Sequence, residues 1–342
     1  MSQFTKTKPD KERGTVLLTT LLIMAVMATV AVAIMDDIRF AVKRTINVGD
    51  YAQADWYVKG AEDFAESYIS TQLSALEPIA KNTLFQEPQT FAFPFDGGSM
   101  ILDVRDGTDC FALGSLVTET GTANTEGVQQ FRNLLIALGW PENDARSLTG
   151  VLTDWIDTDT QRGANGAEDG TYLRREPPHR TANTALASIM ELRSLEGMTE
   201  ELYQSIRPYL CAREFGETTK LNINTAEPID AFLLSSILGG PEHYQTALQV
   251  IAERPQGGYD GTTFAATPAL QNFTNPGVPV ENNPQIVFEP NFLWIEVRVD
   301  YLNASRLVTY EYDVSGPTTV LTYRGWGSES FRPTLEEELE VQ

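Results

Sequence analysis

The sequence predicts an α+β protein in which one long N-terminal helix packs on a small antiparallel sheet, with a large α-helical domain inserted between the early and late strands. Three observations predict this class. Residues 15–35 carry no charge and lead into a long segment without proline. Segments 90–105 and 291–324 alternate apolar and polar residues, as half-buried antiparallel strands do. Between them lie short helical segments and glycine-rich loops.

The first element is a helix long enough to cross a membrane. At 1.5 Å per residue, the uncharged segment 15–35 spans about 30 Å, which matches the hydrocarbon core of a bilayer. Basic residues precede it on the short side of the chain, which predicts a cytoplasmic N-terminus. A cleavable secretory signal that ends within ATVAVA at 28–33 is the alternative. Against it, the helix continues to about residue 85, because spacings of four and three residues form one apolar stripe: Ala54, Val58, Ala61, Ala65 and Tyr68.

The rest of the chain divides by composition. Turn residues punctuate the strand blocks at Asp96-Gly97-Gly98, Asn303-Ala304 and Ser315-Gly316-Pro317. We therefore expect a β domain in two parts, an inserted helical domain and a disordered acidic tail. Their predicted bounds are 86–122 and 283–330 for the β domain, 123–282 for the insertion and 331–342 for the tail.

The net charge argues against nucleic-acid binding, and the histidines argue against an enzyme. The net charge is -22, which repels nucleic-acid backbones. Segment 221–254 resembles a helix-hairpin-helix module, but Arg254 is its only lysine or arginine, so we interpret it as a packing unit. His179 and His243 have no motif partner at a catalytic spacing. The sequence therefore predicts a structural protein rather than an enzyme.

The stretch KERGTVLLTTL at 11–21 places a glycine between a basic leader and the apolar helix. This arrangement resembles the N-terminus of type IV pilins and pseudopilins. The resemblance implies that prepilin peptidase cuts between Gly14 and Thr15, so that residues 1–14 are a leader peptide, and that the new N-terminus is methylated. Two positions depart from the pattern: Thr15 replaces the usual Phe or Met, and Thr19 replaces the usual Glu.

Motifs in the body resemble the type II secretion system protein K family of minor pseudopilins, in order from residue 11 to about 325. The matching segments are AQADWYVKGAEDFA at 52–65, DGTDCFALGSL at 106–116, VLTDWIDTDTQRGANGAED at 151–169, YLCARE at 209–214 and LNINTA at 221–226. In the second segment, Ala112 and Gly114 replace the family's usual asparagines. The ordered set implies a pilin-like fold with a large helical insertion.

The resemblance also implies location and partners. The chain would be held in the inner membrane with its bulk in the periplasm, and would then lie at the pseudopilus tip with minor pseudopilins I and J, above the major pseudopilin fibre. There it would initiate assembly and support export of folded proteins across the outer membrane. The alternative is a single-pass periplasmic calcium-dependent binding protein or adhesin.

An acidic loop in the insertion predicts a calcium site. Asp157, Asp159 and Gln161 alternate and Glu168 follows, which is the spacing of oxygen ligands in an EF-hand, although Arg162 replaces the expected glycine. Asp154 and Asp169 would add further oxygens. A solvated acidic loop is the alternative, and the family resemblance, which implies bound calcium in this region, favours the site.

The chain contains only two cysteines, Cys110 and Cys211. In an oxidising compartment an isolated pair is expected to form a disulfide, which here closes a loop of about 100 residues. Two buried free thiols are the alternative.

Thr19 leads to a hypothesis about position in the fibre. A glutamate at this place in an apolar helical core needs a cationic partner from a neighbouring subunit, and the first subunit has no neighbour ahead of it. A threonine instead can bond to a carbonyl one turn back in its own helix. We therefore expect Thr19 to mark a tip subunit, with the insertion obstructing addition above it.

Overall fold

The computed structural model describes residues 12–270 and 283–327. The predicted leader up to residue 11 and the predicted acidic tail 331–342 lie outside these residues. Within them the fold is the expected one: a long N-terminal helix, an antiparallel sheet and a set of additional helices.

The long helix α1 spans Glu12–Tyr68 and continues as a π-helical turn over Ile69–Leu73. After a short turn, α2 spans Pro78–Leu84. The predicted single helix to residue 85 is therefore interrupted, because Pro78 cannot continue the hydrogen-bond ladder and instead occupies the first turn of α2.

The other helices lie in the insertion and are short. They are α3 Thr125–Ala137, α4 Glu142–Ile156, α5 Asp169–Tyr172, α6 Glu200–Ile206, α7 Ala231–Ile237, α8 Tyr244–Ala252 and α9 Gly261–Ala265. Short 3₁₀ turns connect several of them, at Leu113–Leu116, Ile189–Ser194, Arg207–Tyr209, Pro228–Asp230, Pro241–His243 and Pro268–Leu270.

The main sheet is antiparallel throughout and joins early and late strands of the chain. In chain order the strands are β1 Gln89–Phe95, β2 Gly98–Asp106, β3 Phe111–Ala112, β4 Leu210–Cys211, β5 Leu221–Asn222, β6 Ile286–Val287, β7 Phe292–Tyr301, β8 Ala304–Asp313 and β9 Val320–Trp326. The main sheet has the order β1-β2-β7-β8-β9, whereas β3 pairs with β4 and β5 with β6 as short parallel pairs.

Both predicted hairpin regions form, with one shift. The first turn contains Gly97 at φ 85°, a conformation that glycine adopts without strain. The second turn consists of Leu302 and Asn303, and Ala304 already begins β8. The sequence placed this turn one residue late, because Leu302 takes the left-handed conformation at φ 49°, which its residue type does not predict.

The predicted apolar stripe of α1 packs on one face of the sheet. Ala54, Val58 and Ala61 are fully buried there, against residues such as Val297 and Tyr310. Small side chains on the helix bring its backbone close to the sheet. On the β1 side, aromatic rings extend this contact, and the Tyr57 and Phe95 rings stack with centroids 3.9 Å apart.

The insertion has a hydrophobic core of its own. Phe131, Leu134, Leu152 and Tyr203 belong to it, with Phe111 at its boundary with the sheet. The helix-hairpin-helix segment is part of this core, and the side chain of Asn133 donates to the Gly239 carbonyl at 2.8 Å. The chain therefore builds two separate cores, which need a junction between them.

A disulfide and a buried ion pair form that junction, on the face of the sheet opposite α1. Cys110 and Cys211 are bonded, as predicted, and pack with Trp294 of β7. Two residues further, Arg213 donates to Glu311 of β8 at 2.8 Å, and their side chains are only 3% and 1% exposed. The Arg213 guanidinium also donates to the Gly107 carbonyl and lies 3.6 Å from the centroid of the Phe292 ring.

A second set of buried hydrogen bonds attaches the LNINTA segment to the sheet. Asn222 donates to Asp106 at the end of β2 at 2.7 Å and to Asn82 of α2 at 3.2 Å. Thr225 donates to the same Asp106 carboxylate at 2.7 Å. Asn224 bonds to the Tyr259 backbone through both its amide nitrogen and its oxygen. The motif is thus a connector between α2, β2 and the insertion.

We expect Glu311→Gln to lower the free energy of unfolding by about 3–5 kcal/mol, because it leaves the Arg213 charge buried without a counter-charge. The measurement is urea denaturation of the full chain in detergent. Glu200→Gln removes the solvent-exposed pair with Arg193 and serves as the control, with almost no expected change. Equal shifts of the two midpoints would contradict the role of the buried pair.

Candidate functional site

The candidate site is an acidic cluster at the C-terminal end of α4. Asp157 caps that helix, Asp159 follows in the loop, and Glu168 precedes α5. Carboxylate oxygens of these three residues all lie within 4.8 Å of one another. The loop thus folds back on itself and brings like charges together.

Two oxygens in this cluster lack any donor. Asp157 Oδ1 and Glu168 Oε1 are buried and have no hydrogen-bond partner in the described part of the chain. Burial, followed by the charges of Asp159, Asp154 and Glu168, raises the pKa of Asp157 to about 7. Burial and the charge of Asp154 also raise the pKa of Glu168. The site is therefore short of positive charge.

Asp154 lies beside the cluster on the last turns of α4 and is 3% exposed. Its two oxygens accept from the Gly163 backbone N–H, each at 3.1 Å. Glycine is required close by, since a Cβ on Gly166 would lie 2.0 Å from Asp154 Oδ2. The loop can wrap around the Asp154 carboxylate only because these backbone positions carry no side chain.

The other two predicted ligands point to different partners. Asp169 accepts from Arg180 at 2.9 Å and from the Thr181 backbone N–H at 3.1 Å. Gln161 is exposed, and its backbone N–H donates to Asp159 at 2.6 Å. The structure therefore gathers Asp157, Asp159 and Glu168, with Asp154 adjacent, and binds Asp169 in an ion pair.

Two supporting residues were missed by the sequence reasoning. The Thr181 hydroxyl contacts Glu168 at 3.3 Å and Asp169 at 3.1 Å, and the Asn183 amide donates to the Asp159 carbonyl at 3.1 Å. Both come from the loop after α5, and no spacing rule connects that loop with the acidic motif.

The donor set fits a hard divalent cation. Calcium takes carboxylate and carbonyl oxygens in flexible geometry, and a bound cation would offset the mutual repulsion of these carboxylates. The two undonated oxygens of Asp157 and Glu168 are the observation that favours this fit over a merely solvated loop.

The N-terminal helix supplies the other predicted site. Thr15–Leu73 is long and apolar enough to cross a membrane, judged by length and composition, and its apolar window is not buried in the fold. Gly14 lies within the helical backbone of α1. The Thr19 hydroxyl donates to the carbonyls of Thr15 and Val16 at 3.0 and 2.9 Å, so the expected bond to the preceding turn is present.

The two histidines and the arginine of the hairpin segment all contact other parts of the protein. The His179 ring lies against Trp155 and Tyr172, and His243 lies 3.7 Å from Glu242 at a helix start. Arg254 is half-buried and donates to the carbonyls of Ile223 and Ala226. The guanidinium of Arg254 is thus hydrogen-bonded to the backbone of the hairpin segment.

Comparisons with known proteins match this chain to one family. A family model for type II secretion system (T2SS) protein K matches residues 109–214. The type II secretion system protein K of Pectobacterium carotovorum subsp. carotovorum is 34% identical over 265 residues, which cover 73% of this chain and 77% of that relative. The protein of the same name from Klebsiella pneumoniae is 34% identical over 268 residues, covering 76% of this chain and 81% of that relative.

A solved structure has the same fold. It is the crystal structure of the GspK-GspI-GspJ complex from the type 2 secretion system of enterotoxigenic Escherichia coli. The matched chain has a TM-score of 0.68 and 25% sequence identity, and the alignment covers 83% of this chain and 99% of that chain.

The raised pKa of Asp157 predicts a pH dependence in protein from which divalent cations have been removed. An unfolded aspartate titrates at about pH 4, so the folded state holds this proton to higher pH. The free energy of unfolding should therefore fall as the pH rises from about 4 to about 7.

The measurement is the melting temperature of EGTA-treated protein across this pH range, compared with Asp157→Asn. Because the variant cannot titrate at this position, its melting temperature should fall less steeply. Parallel slopes for the two proteins would rule out the predicted shift.

Proposed function

The chain belongs to the type II secretion system protein K family, and we propose that it is the minor pseudopilin that initiates the pseudopilus and remains at its tip with minor pseudopilins I and J. The observation that carries the proposal is the match over 83% of the chain to GspK, a protein crystallised in complex with GspI and GspJ. In this role the chain supports export of folded proteins across the outer membrane.

The role is structural rather than catalytic. The family it belongs to is one of secretion-system subunits, and the two histidines serve packing and helix-start positions, as described above. The buried junction around Arg213 and Glu311 fixes the insertion to the sheet, which is what a cap on a fibre requires.

The N-terminal helix has two successive tasks in this proposal. Before assembly, the apolar part of α1 anchors the chain in the inner membrane, with the N-terminus in the cytoplasm and the sheet and insertion in the periplasm. Prepilin peptidase then cuts between Gly14 and Thr15. After cleavage the same apolar surface packs against other subunits in the core of the fibre.

Thr19 fits a subunit with no neighbour ahead of it. A glutamate there would lie unpaired in an apolar environment, which is costly. The Thr19 hydroxyl is instead satisfied within its own helix by the carbonyls of Thr15 and Val16. This internal bond supports a tip position, where no amine from a preceding subunit is present.

The acidic cluster binds calcium in this proposal, with Asp157, Asp159 and Glu168 as ligands and Asp154 close enough to contribute. Calcium would order the loop between α4 and α5 by neutralising its carboxylates. We expect a modest affinity, with a Kd of about 10⁻⁴ to 10⁻³ M, as in other extracellular modules.

Calcium should raise the melting temperature of EGTA-treated protein, and Asp157→Ala should abolish the increase because it removes a central ligand. Asp144→Ala, which removes an exposed carboxylate from the same insertion, should keep the full response. The measurement is a thermal melt in low salt with and without calcium. The site would be excluded if calcium left the wild-type melting temperature unchanged, or if it raised the melting temperature of Asp157→Ala as much as that of the wild type.

Gly14→Ala should prevent cleavage by prepilin peptidase and keep the chain out of fibres, as read by mass spectrometry of the N-terminus and by fractionation of sheared fibres.

Immunogold labelling of wild-type fibres should find the chain at one end. Thr19→Glu should still be cleaved, and secretion should be unchanged or mildly reduced. Label spaced along the fibre length would refute the tip position.

A further inference from the structure

A groove opens between the end of α1 and the hairpin that joins β8 to β9. Its volume is about 1030 Å³. Glu66, Ile69 and Leu73 line it from the helix and its π-helical turn, and Tyr312, Val314 and Leu321 line it from the sheet. We call these six residues and the space between them the α1–β9 groove.

The floor of the α1–β9 groove contains a polar group without a partner. Tyr312 is 1% exposed, and its hydroxyl has no hydrogen-bond partner among the described residues. Burial, followed by the nearby Glu66 carboxylate, raises the pKa of this phenol. A buried hydroxyl left without a hydrogen-bond partner destabilises the fold, because it has lost its bonds to water. An occupant that brings a hydrogen-bonding group to this floor would recover part of that loss.

The rim of the groove carries one uncompensated negative charge. Asp63 lies 3.2 Å from Lys59, and Lys81 lies 2.9 Å from Glu289. Glu66 is exposed and has no basic side chain within 4.0 Å in residues 15–270 and 283–327. The charge that the groove lacks is therefore positive.

The sheet side of the groove presents apolar surface to solvent. β9 is the last strand in the sheet order, and Leu321 near its start lines the groove and is 38% exposed. Its neighbour Val320, outside the lining, is 52% exposed. An edge strand has unpaired backbone groups that can bond to another chain, and adjoining exposed apolar side chains give that chain a surface to pack on. The groove thus combines an apolar wall, an unpaired carboxylate and an unpartnered phenol.

We propose that the α1–β9 groove binds a segment of a partner subunit in which a lysine or arginine neighbours an apolar side chain. The apolar side chain packs against Leu73 and Leu321, and the cation lies at Glu66, next to the Tyr312 hydroxyl. The proposal rests on the proposed function, because the partner is a different subunit of the same fibre tip.

The test places a photoreactive benzoylphenylalanine at position 321 of the full chain, in cells with an active secretion system. Irradiation should yield an adduct with another pseudopilin, and mass spectrometry should find a lysine or arginine in the crosslinked peptide. Glu66→Lys should lower the adduct yield roughly fivefold to tenfold, as expected for reversal of one interfacial charge. The same probe at Met190, an exposed apolar position in the insertion, should not form this adduct.

Two matched variants test whether the groove itself controls the adduct yield, rather than a general change in charge or in stability. Glu87→Lys reverses an exposed charge outside the groove and should leave the yield unchanged. Tyr312→Phe removes only the unpartnered hydroxyl, so it should lower the yield while the melting temperature stays the same or rises.

Absence of the adduct, an adduct with a second copy of this chain, a crosslinked peptide without a basic residue, or a yield insensitive to Glu66→Lys would overturn the proposal. Entry of the chain into sheared fibres is scored in the same cells. A chain that is absent from fibres would refute the proposed function separately, and the adduct from the membrane fraction would still decide what the groove binds.

Discussion

The buried ion pair between Arg213 and Glu311 is the interaction on which the arrangement of the molecule depends. One face of the sheet is covered by α1, whose small side chains permit close packing. The other face needs a cover that the insertion provides, and two separate hydrophobic cores must then be fixed relative to each other. The ion pair, the adjacent Cys110–Cys211 disulfide and the Asn222–Asp106 bond do this without a shared core. A buried charge pair of this kind tolerates little displacement, because either partner alone would be costly to bury.

The acidic cluster also contains buried charged side chains, but they all carry the same sign. In the Arg213–Glu311 pair the two buried side chains carry opposite charges. At Asp157 and Glu168 the charges repel, and two oxygens have no donor in the described residues. The charges of this pair therefore balance within the protein, whereas those of Asp157 and Glu168 do not. This contrast explains why we assign stability to the first and ligand binding to the second.

Local sequence patterns predicted the helices and strands, but they did not predict contacts between residues that lie far apart in the chain. The alternation in 291–324 and the stripe on α1 are periodic and set by burial, so the helix and the late strands could be predicted. The two cysteines had one possible pairing. In contrast, Thr181 supports Glu168 from a loop with no regular spacing, and Asn222 reaches Asn82 across 140 positions of the chain. The α1–β9 groove likewise exists only once the π-helical turn, β8 and β9 are placed together.

The central claim is that this chain is a pseudopilin of the fibre tip that assembles with the I and J subunits. The most direct measurement is size-exclusion chromatography with light scattering on the periplasmic part of the chain mixed with the soluble domains of I and J. The account predicts one peak that contains equimolar amounts of all three proteins. Elution of this chain alone, while I and J still associate with each other, would contradict it.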